Sequence, residues 1–160
     1  MAKIVVNDFK MKTLDILFDQ ITKELREEKH LSSLKPYLEK YTGVDWKPYK
    51  FFSPNHYTRH VLKINDVVEL VIICWEVNQG CPIHDHPVNG CLVRILQGEV
   101  RENTYELKDH PVLLNSRTLK TNGVIFQQGN LIGHEIINNS DKRATSLHIY
   151  SPPNYKPNFY

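Results

Sequence analysis

No stretch of this 160-residue chain is apolar over the length that a membrane-spanning helix needs, so no membrane partner is expected. The opening Met1–Asp8 has only a short Ile-Val-Val run and no signal-peptide core. An excess of one charge is also missing. Twenty Lys and Arg against eighteen Asp and Glu leave a net charge of +2 with no basic run, which argues against nucleic acid as a partner. Cysteine is scarce. Cys74, Cys81 and Cys91 are odd in number and form no C-x-x-C, so a disulfide framework is not expected and a reducing, cytoplasmic setting is. Internal repeats, low-complexity tracts and linkers are absent, so residues 1–160 are expected to form one domain with a full-sized core. No long apolar seam is evident, and a monomer is expected.

The apolar fraction of 41% and charged fraction of 24% fit a globular chain. Leu14, Leu17, Phe18, Ile21 and Leu25 follow helical spacing, with Asn7 or Thr13 as a candidate N-cap. A second helix is expected to carry Leu34, Tyr37, Leu38 and Tyr41 on one side. Ser33 would be its N-cap, Pro36 would lie in its first turn and Gly43 would stop it. From about residue 57 the pattern changes to strands. R-H-V-L-K-I and V-V-E-L-V-I-I-C-W-E join at Asn65-Asp66, a hairpin-type turn. Further short runs lie near 91–97, 99–107, 111–119, 124–127, 131–138 and 144–150, separated by Gly, Asn, Asp and Pro. This spacing predicts a mainly β sandwich or barrel over about 50–155, with the helical segment 1–45 packed on it.

Three patterns carry chemistry. His84-Asp85-His86 puts two imidazoles on one face if the segment is extended. His134 lies 48 residues after His86 on a later strand, where a barrel could bring it opposite the pair; alone it reads as a surface or packing histidine. Three imidazoles on a rigid barrel would hold a first-row divalent ion with open positions left. Ser146, His148 and Tyr150 share one face of one strand, and a row of hydroxyl, imidazole and phenol can set the position of the phenolic proton. Acyl transfer is rejected, because no nucleophile elbow is present and no carboxylate accompanies the Ser-His pair. His30, His56, His60 and His110 read as surface or loop residues, and Trp75 and Phe126 as core. Cys74 reads as a packing thiol, Cys81 as a residue of the pocket mouth or an exposed one, and Asn154–Tyr160 as a tail over the barrel or a frayed one.

Y-T-R at 57–59, C-W at 74–75, I-H-D-H at 83–86, Cys91, L-Q-G at 96–98, Gly133-His134 followed by Asn138, and S-L-H-I-Y-S-P-P at 146–153 together resemble cysteine dioxygenase, a cupin-fold thiol dioxygenase family. Cys91 stands where the general cupin pattern has glutamate, and Asn78 where it has glycine, a substitution that positive φ tolerates. The resemblance implies a cupin, that is, a double-stranded β-helix or jelly-roll barrel. It implies Fe(2+) on His84, His86 and His134, no organic cofactor, and L-cysteine and O2 as substrates. Substrate cysteine would chelate iron through sulfur and amine. Arg59 would pair with its carboxylate and Tyr57 would add a hydrogen bond. Cys91 and Tyr150 correspond to the pair that becomes a thioether crosslink, His148 and Ser146 would orient the phenol, and Ser151-Pro152 is expected to be cis. Relatives acting on 3-mercaptopropionate usually lack this cysteine and arginine, so L-cysteine is the expected substrate. A broader thiol dioxygenase and a non-catalytic metal-binding cupin are the alternatives.

Overall fold

The structure is a computed structural model, and it describes residues 11–160. The first helix, α1 (Leu14–Arg26), begins where Thr13 accepts a hydrogen bond from the Ile16 amide, and it buries Leu14, Leu17 and Ile21. Asn7, the other candidate cap, lies outside the described residues. The second helical segment is less regular than its periodicity predicts. A 3₁₀ turn (Leu31–Leu34) runs into the short α2 (Lys35–Glu39), with Pro36 in the first turn. Ser33 therefore sits inside the turn and caps nothing; its hydroxyl donates to the His30 carbonyl. Gly43 is not the stop either. The helix ends at Glu39, and Gly43 lies past it, where an added Cβ would meet the Tyr41 ring at 2.5 Å. Leu34, Leu38 and Tyr41 are buried as their spacing requires. A further 3₁₀ turn spans Lys47–Tyr49.

Eight strands follow: β1 (Thr58–Ile64), β2 (Glu69–Trp75), β3 (Gly90–Gln97), β4 (Val100–Glu106), β5 (Val112–Leu119), β6 (Val124–Gln127), β7 (Ile132–Ile137) and β8 (Ala144–Ser151). One antiparallel sheet has the order β1-β2-β8-β3-β6, and the other β5-β4-β7. The β1–β2 turn is held by Asn65, whose side-chain oxygen accepts from the Val67 and Val68 amides at 3.0 Å each. The larger sheet is covered on both faces, which is why β2 reads as an unbroken apolar run. Leu70, Ile72 and Cys74 face the helices with Leu147 and Ile149, while Val71, Ile73 and Trp75 face the barrel interior. By the same alternation Ser146, His148 and Tyr150 of β8 look inward. Phe126 packs with the helical side, as expected of a core residue. Asn78 has positive φ, and Ser151-Pro152 is cis.

Arg94 of β3 ties the helices to the barrel. Buried among apolar side chains, its guanidinium donates to the carbonyls of Leu38 (2.6 Å) and Tyr41 and to the Asn122 side chain (2.9 Å). These carbonyls lie around the end of α2, where the other backbone contact to the Leu38 carbonyl is a long one, from the Tyr41 amide at 3.3 Å. Arg94→Met keeps the stem and removes the charged donors that these buried carbonyls share. It should cost about 3 kcal/mol, read as a lower urea midpoint. A loss below about 0.5 kcal/mol would show that water replaces the bridge.

Candidate metal centre and its cavity

Residues 80–84 run beside β7 outside any named strand, through isolated bridges Gly80–Ile137 and His84–His134. The His84 amide donates to the His134 carbonyl at 3.0 Å, and the His134 amide returns a bond at 3.1 Å. This pairing brings His134 opposite the H-x-H segment. Gly133 permits it: a Cβ there would sit 2.5 Å from the His84 carbonyl oxygen. Gly133→Ala must therefore push the two ligand-bearing segments apart. We expect the variant to fold but to bind added divalent metal at least tenfold more weakly, as measured by titration.

The nitrogens of His84, His86 and His134 lie within 4.8 Å of one another. Nε2 of His86 is 3.0 Å from Nε2 of His134, and the three ring centroids are 4.4–4.9 Å apart. Burial, followed by the other imidazoles, pushes His84 down to about 4 and His86 further down, so both are neutral at neutral pH. Neutral imidazoles offer lone pairs. His134 Nδ1 donates to the Glu102 carboxylate (2.8 Å) and His84 Nδ1 to the Pro82 carbonyl (2.8 Å), which leaves Nε2 of each ring as the free acceptor. Nδ1 of His86 is buried without a hydrogen-bond partner. Two converging lone pairs and an orphaned ring nitrogen are poorly satisfied by protein alone, and the donor set fits a divalent ion of the first transition row.

The His84 and His134 rings line a cavity of about 580 Å³. Its lining includes Tyr57, Arg59, His84, His134, His148 and Tyr150, whereas His86, Cys91 and Ser146 are buried behind it. The β8 row is hydrogen-bonded: Ser146 Oγ is 2.7 Å from His148 Nε2, and the Tyr150 hydroxyl 3.2 Å from His148 Nδ1. Trp75 does more than fill the core, since its Nε1 donates to Ser146 Oγ at 2.9 Å. Burial pushes the His148 imidazole well below and the Tyr150 phenol well above their ordinary values. Cys91 stands directly across from Tyr150 in the β3–β8 register, and burial raises its thiol. Arg59 packs over the Tyr150 ring at 5.6 Å and reaches Glu69 at 3.4 Å. Tyr57 stacks on Trp75 with 4.8 Å between centroids. Cys81 lines the cavity, accepts from the Ile136 amide at 3.3 Å and is raised to about 11, burial being the main cause. His30, His56, His60 and His110 are exposed and do not line the cavity, as expected, and Cys74 is a buried packing thiol.

Three carboxylates escaped the sequence reading. Glu69 is the charged residue of the inward face of β2. Glu102, fully buried on β4, accepts from His134, from Arg117 Nε (2.8 Å) and from Gln127 (3.3 Å). Burial alone would raise its carboxyl, but the bonds from His134 and Arg117 outweigh this and hold it below the usual range. Its signal was available, because Glu102 shares strand parity with Val100 and so faces inward. Asp85, between two candidate ligands, points the other way and meets residues 155–160. That tail lies over the barrel.

Comparison with known proteins gives three findings. A family model described as "Cysteine dioxygenase type I" matches residues 5–160. The chain is 30% identical over 135 residues to cysteine dioxygenase type 1 of Rattus norvegicus, covering 79% of this chain and 68% of that one. It is 29% identical over 152 residues to the Danio rerio protein of the same name, covering 89% and 73%. Among solved structures, a Thermus thermophilus protein superposes with a TM-score of 0.58 at 18% identity, over 68% of this chain and 94% of that one. A cupin superfamily protein of Desulfitobacterium hafniense gives 0.54 at 16%, over 68% and 89%. At such identities these two speak for the fold, which is a cupin. Among the described residues no helix is long and apolar enough to cross a membrane.

Proposed function

The chain belongs to the cysteine dioxygenase type I family, and on that footing we propose that it is an iron(II)-dependent L-cysteine dioxygenase, adding both atoms of dioxygen to the thiol sulfur to give cysteine sulfinate. Residues 1–160 would act as one cupin domain, cytoplasmic and monomeric. The observation that carries the reading is the convergence of three imidazole donors on the cavity that Arg59 and Tyr150 also line. His84, His86 and His134 would hold the ferrous ion, whose chemistry is to activate dioxygen beside a thiolate. Three neutral imidazoles leave the ion's charge uncompensated, which favours an anionic sulfur ligand.

Arg59 takes the substrate carboxylate. Its contact with Glu69 uses one terminal nitrogen and leaves other N–H groups of the fork for the ligand. Tyr57, on the same cavity wall, adds a hydroxyl. Along β8, Ser146 accepts from Trp75 and passes its own proton toward His148 Nε2, so His148 Nδ1–H donates to the Tyr150 oxygen. The phenolic proton is then free to point at the reacting sulfur and oxygen atoms. The raised phenol keeps that proton through the neutral range.

Oxygen uptake by iron-loaded protein given L-cysteine, with the product identified by mass, tests the proposal. We expect one dioxygen per sulfinate. Uptake that yields only cystine would overturn it. Faster turnover of 3-mercaptopropionate would move the substrate to the acid that lacks the amine, and iron binding without turnover of either thiol would favour a binding cupin. Cys91 and Tyr150, directly opposed across β3 and β8, are the pair we expect to form a thioether. The sulfur–carbon bond replaces S–H and an ortho C–H, and dioxygen takes up the two electrons and two protons. Intact mass should show the loss of two hydrogens in the wild type and not in Cys91→Ser; equal deficits would exclude this crosslink.

A further inference from the structure

Asp85 is 1% exposed and has no ion-pair partner among the described residues. A buried carboxylate of that kind is tolerated only where donors replace its water. Four do, and all come from residues 155–160. The Tyr155 hydroxyl (2.7 Å) and the Asn158 amide (2.8 Å) bond Oδ1; the Asn158 side-chain nitrogen (2.8 Å) and the Tyr160 hydroxyl (3.2 Å) bond Oδ2. Backbone bonds close the contact on either side, from Asp85 N to the Asn158 carbonyl (3.2 Å) and from Tyr160 N to the Ile83 carbonyl (3.0 Å). Phe159 forms a bridge with His84. The same segment supplies one wall of the cavity through Tyr155, Lys156, Pro157 and Phe159.

Strand alternation makes this arrangement consequential. His84 and His86 point to the metal side because Asp85 points away from it, and what fixes Asp85 fixes the rotation of the backbone between the two ligands. We infer that Asp85 is a positioning residue: latched by Tyr155, Asn158 and Tyr160, it sets the aim of His84 and His86, so that residues 154–160 both close the cavity and hold the metal ligands in place. This rests on the metal reading of the three-histidine site, and it adds a fourth side of the site that the barrel does not provide. With the segment unlatched, Asp85 would be a buried charge without donors, and the H-D-H backbone would turn to hydrate it.

Purified full-length protein loaded with ferrous iron provides the test, with wild type compared to Asp85→Asn, Asn158→Ala and Tyr160→Phe. Iron release to excess chelator should quicken about 10- to 100-fold in Asp85→Asn, the range seen when support behind a ligand is lost, and less in Tyr160→Phe, which loses only the longest of the four bonds. Cobalt(II) bound in place of iron should show a shifted absorption spectrum, since its bands report ligand geometry. The amides of Asp85 and Tyr160 should exchange faster with solvent. Per bound iron, KM should rise more than kcat falls, because the cavity wall loosens while the β8 row is untouched. Faster exchange with unchanged iron release and cobalt spectrum would overturn the inference, leaving the segment as a cover only. If Asp85→Asn does not fold, Asn158→Ala and Tyr160→Phe decide by the same readouts. Wild type that takes up neither iron nor cobalt would overturn the metal reading and this inference together, whereas tight metal binding in every variant overturns this inference alone.

Discussion

Replacing His86 with alanine yields a folded protein that retains no iron and turns over no thiol. The expected loss is at least about 10³-fold in rate, because two imidazoles are a poor chelate and the site's only proposed Lewis acid goes with the third. Folding survives because the fold asks little of this ring. His86 is 2% exposed, yet its Nδ1 has no partner and its Nε2 meets only the His134 nitrogen. Removing a poorly satisfied polar group offsets part of the cavity left behind, and a net cost of about 1–2 kcal/mol is expected. Three measurements separate the outcomes: iron content, thermal midpoint and oxygen uptake. Loss of iron and uptake with a shift of a few degrees supports the three-histidine site. Full iron occupancy in the variant would remove His86 from the ligand set.

The fold was legible because its strands are short, regularly spaced and bounded by turn residues. The expected runs at 91–97, 124–127 and 144–150 lie within a residue of β3, β6 and β8. What failed was local. Ser33 and Gly43 carry the right chemistry for caps, but a 3₁₀ turn takes Leu31–Leu34, and the α-helix that follows it stops at Glu39. Two members of the candidate triad were legible from the H-x-H alternation. His134 as the third member came from the family resemblance and not from spacing, since its closure depends on a bridge across a glycine that brings residues fifty positions apart into register. The supporting carboxylates were hidden for another reason. Glu102 sits in R-E-N-T-Y-E, among neighbours as polar as an exposed strand would have. Its parity with Val100 is the one sequence signal that it faces inward, and its 0% exposure and its partners bear that out. The H-x-H pattern gives Asp85 no role by itself, although alternation gives the residue between the two histidines a face of its own.

Glu102→Gln, nearly isosteric, should carry the second large effect. The carboxylate accepts from three donors on three elements: His134 of β7, Arg117 of β5 and Gln127 of β6. An amide keeps one acceptor oxygen and turns an N–H toward at least one of those donors. Arg117 is partly exposed and can turn to water; His134 Nδ1 and Gln127 cannot. A loss of about 2–3 kcal/mol follows, smaller than for a fully enclosed ion pair because one partner can rehydrate. The larger consequence is chemical. Without an acceptor at Nδ1, His134 no longer has a fixed tautomer, and the proton can settle on the nitrogen that should carry a lone pair. Metal affinity should fall about 10- to 100-fold. A double-mutant cycle with His134→Ala distinguishes this from simple damage to the core. If Glu102 acts through His134, its substitution in the alanine background costs about 1 kcal/mol or more less in stability than in wild type, and no longer changes what metal binding remains. Equal costs in both backgrounds would mean that Glu102 supports the sheet through Arg117 and Gln127 and leaves His134 to aim itself.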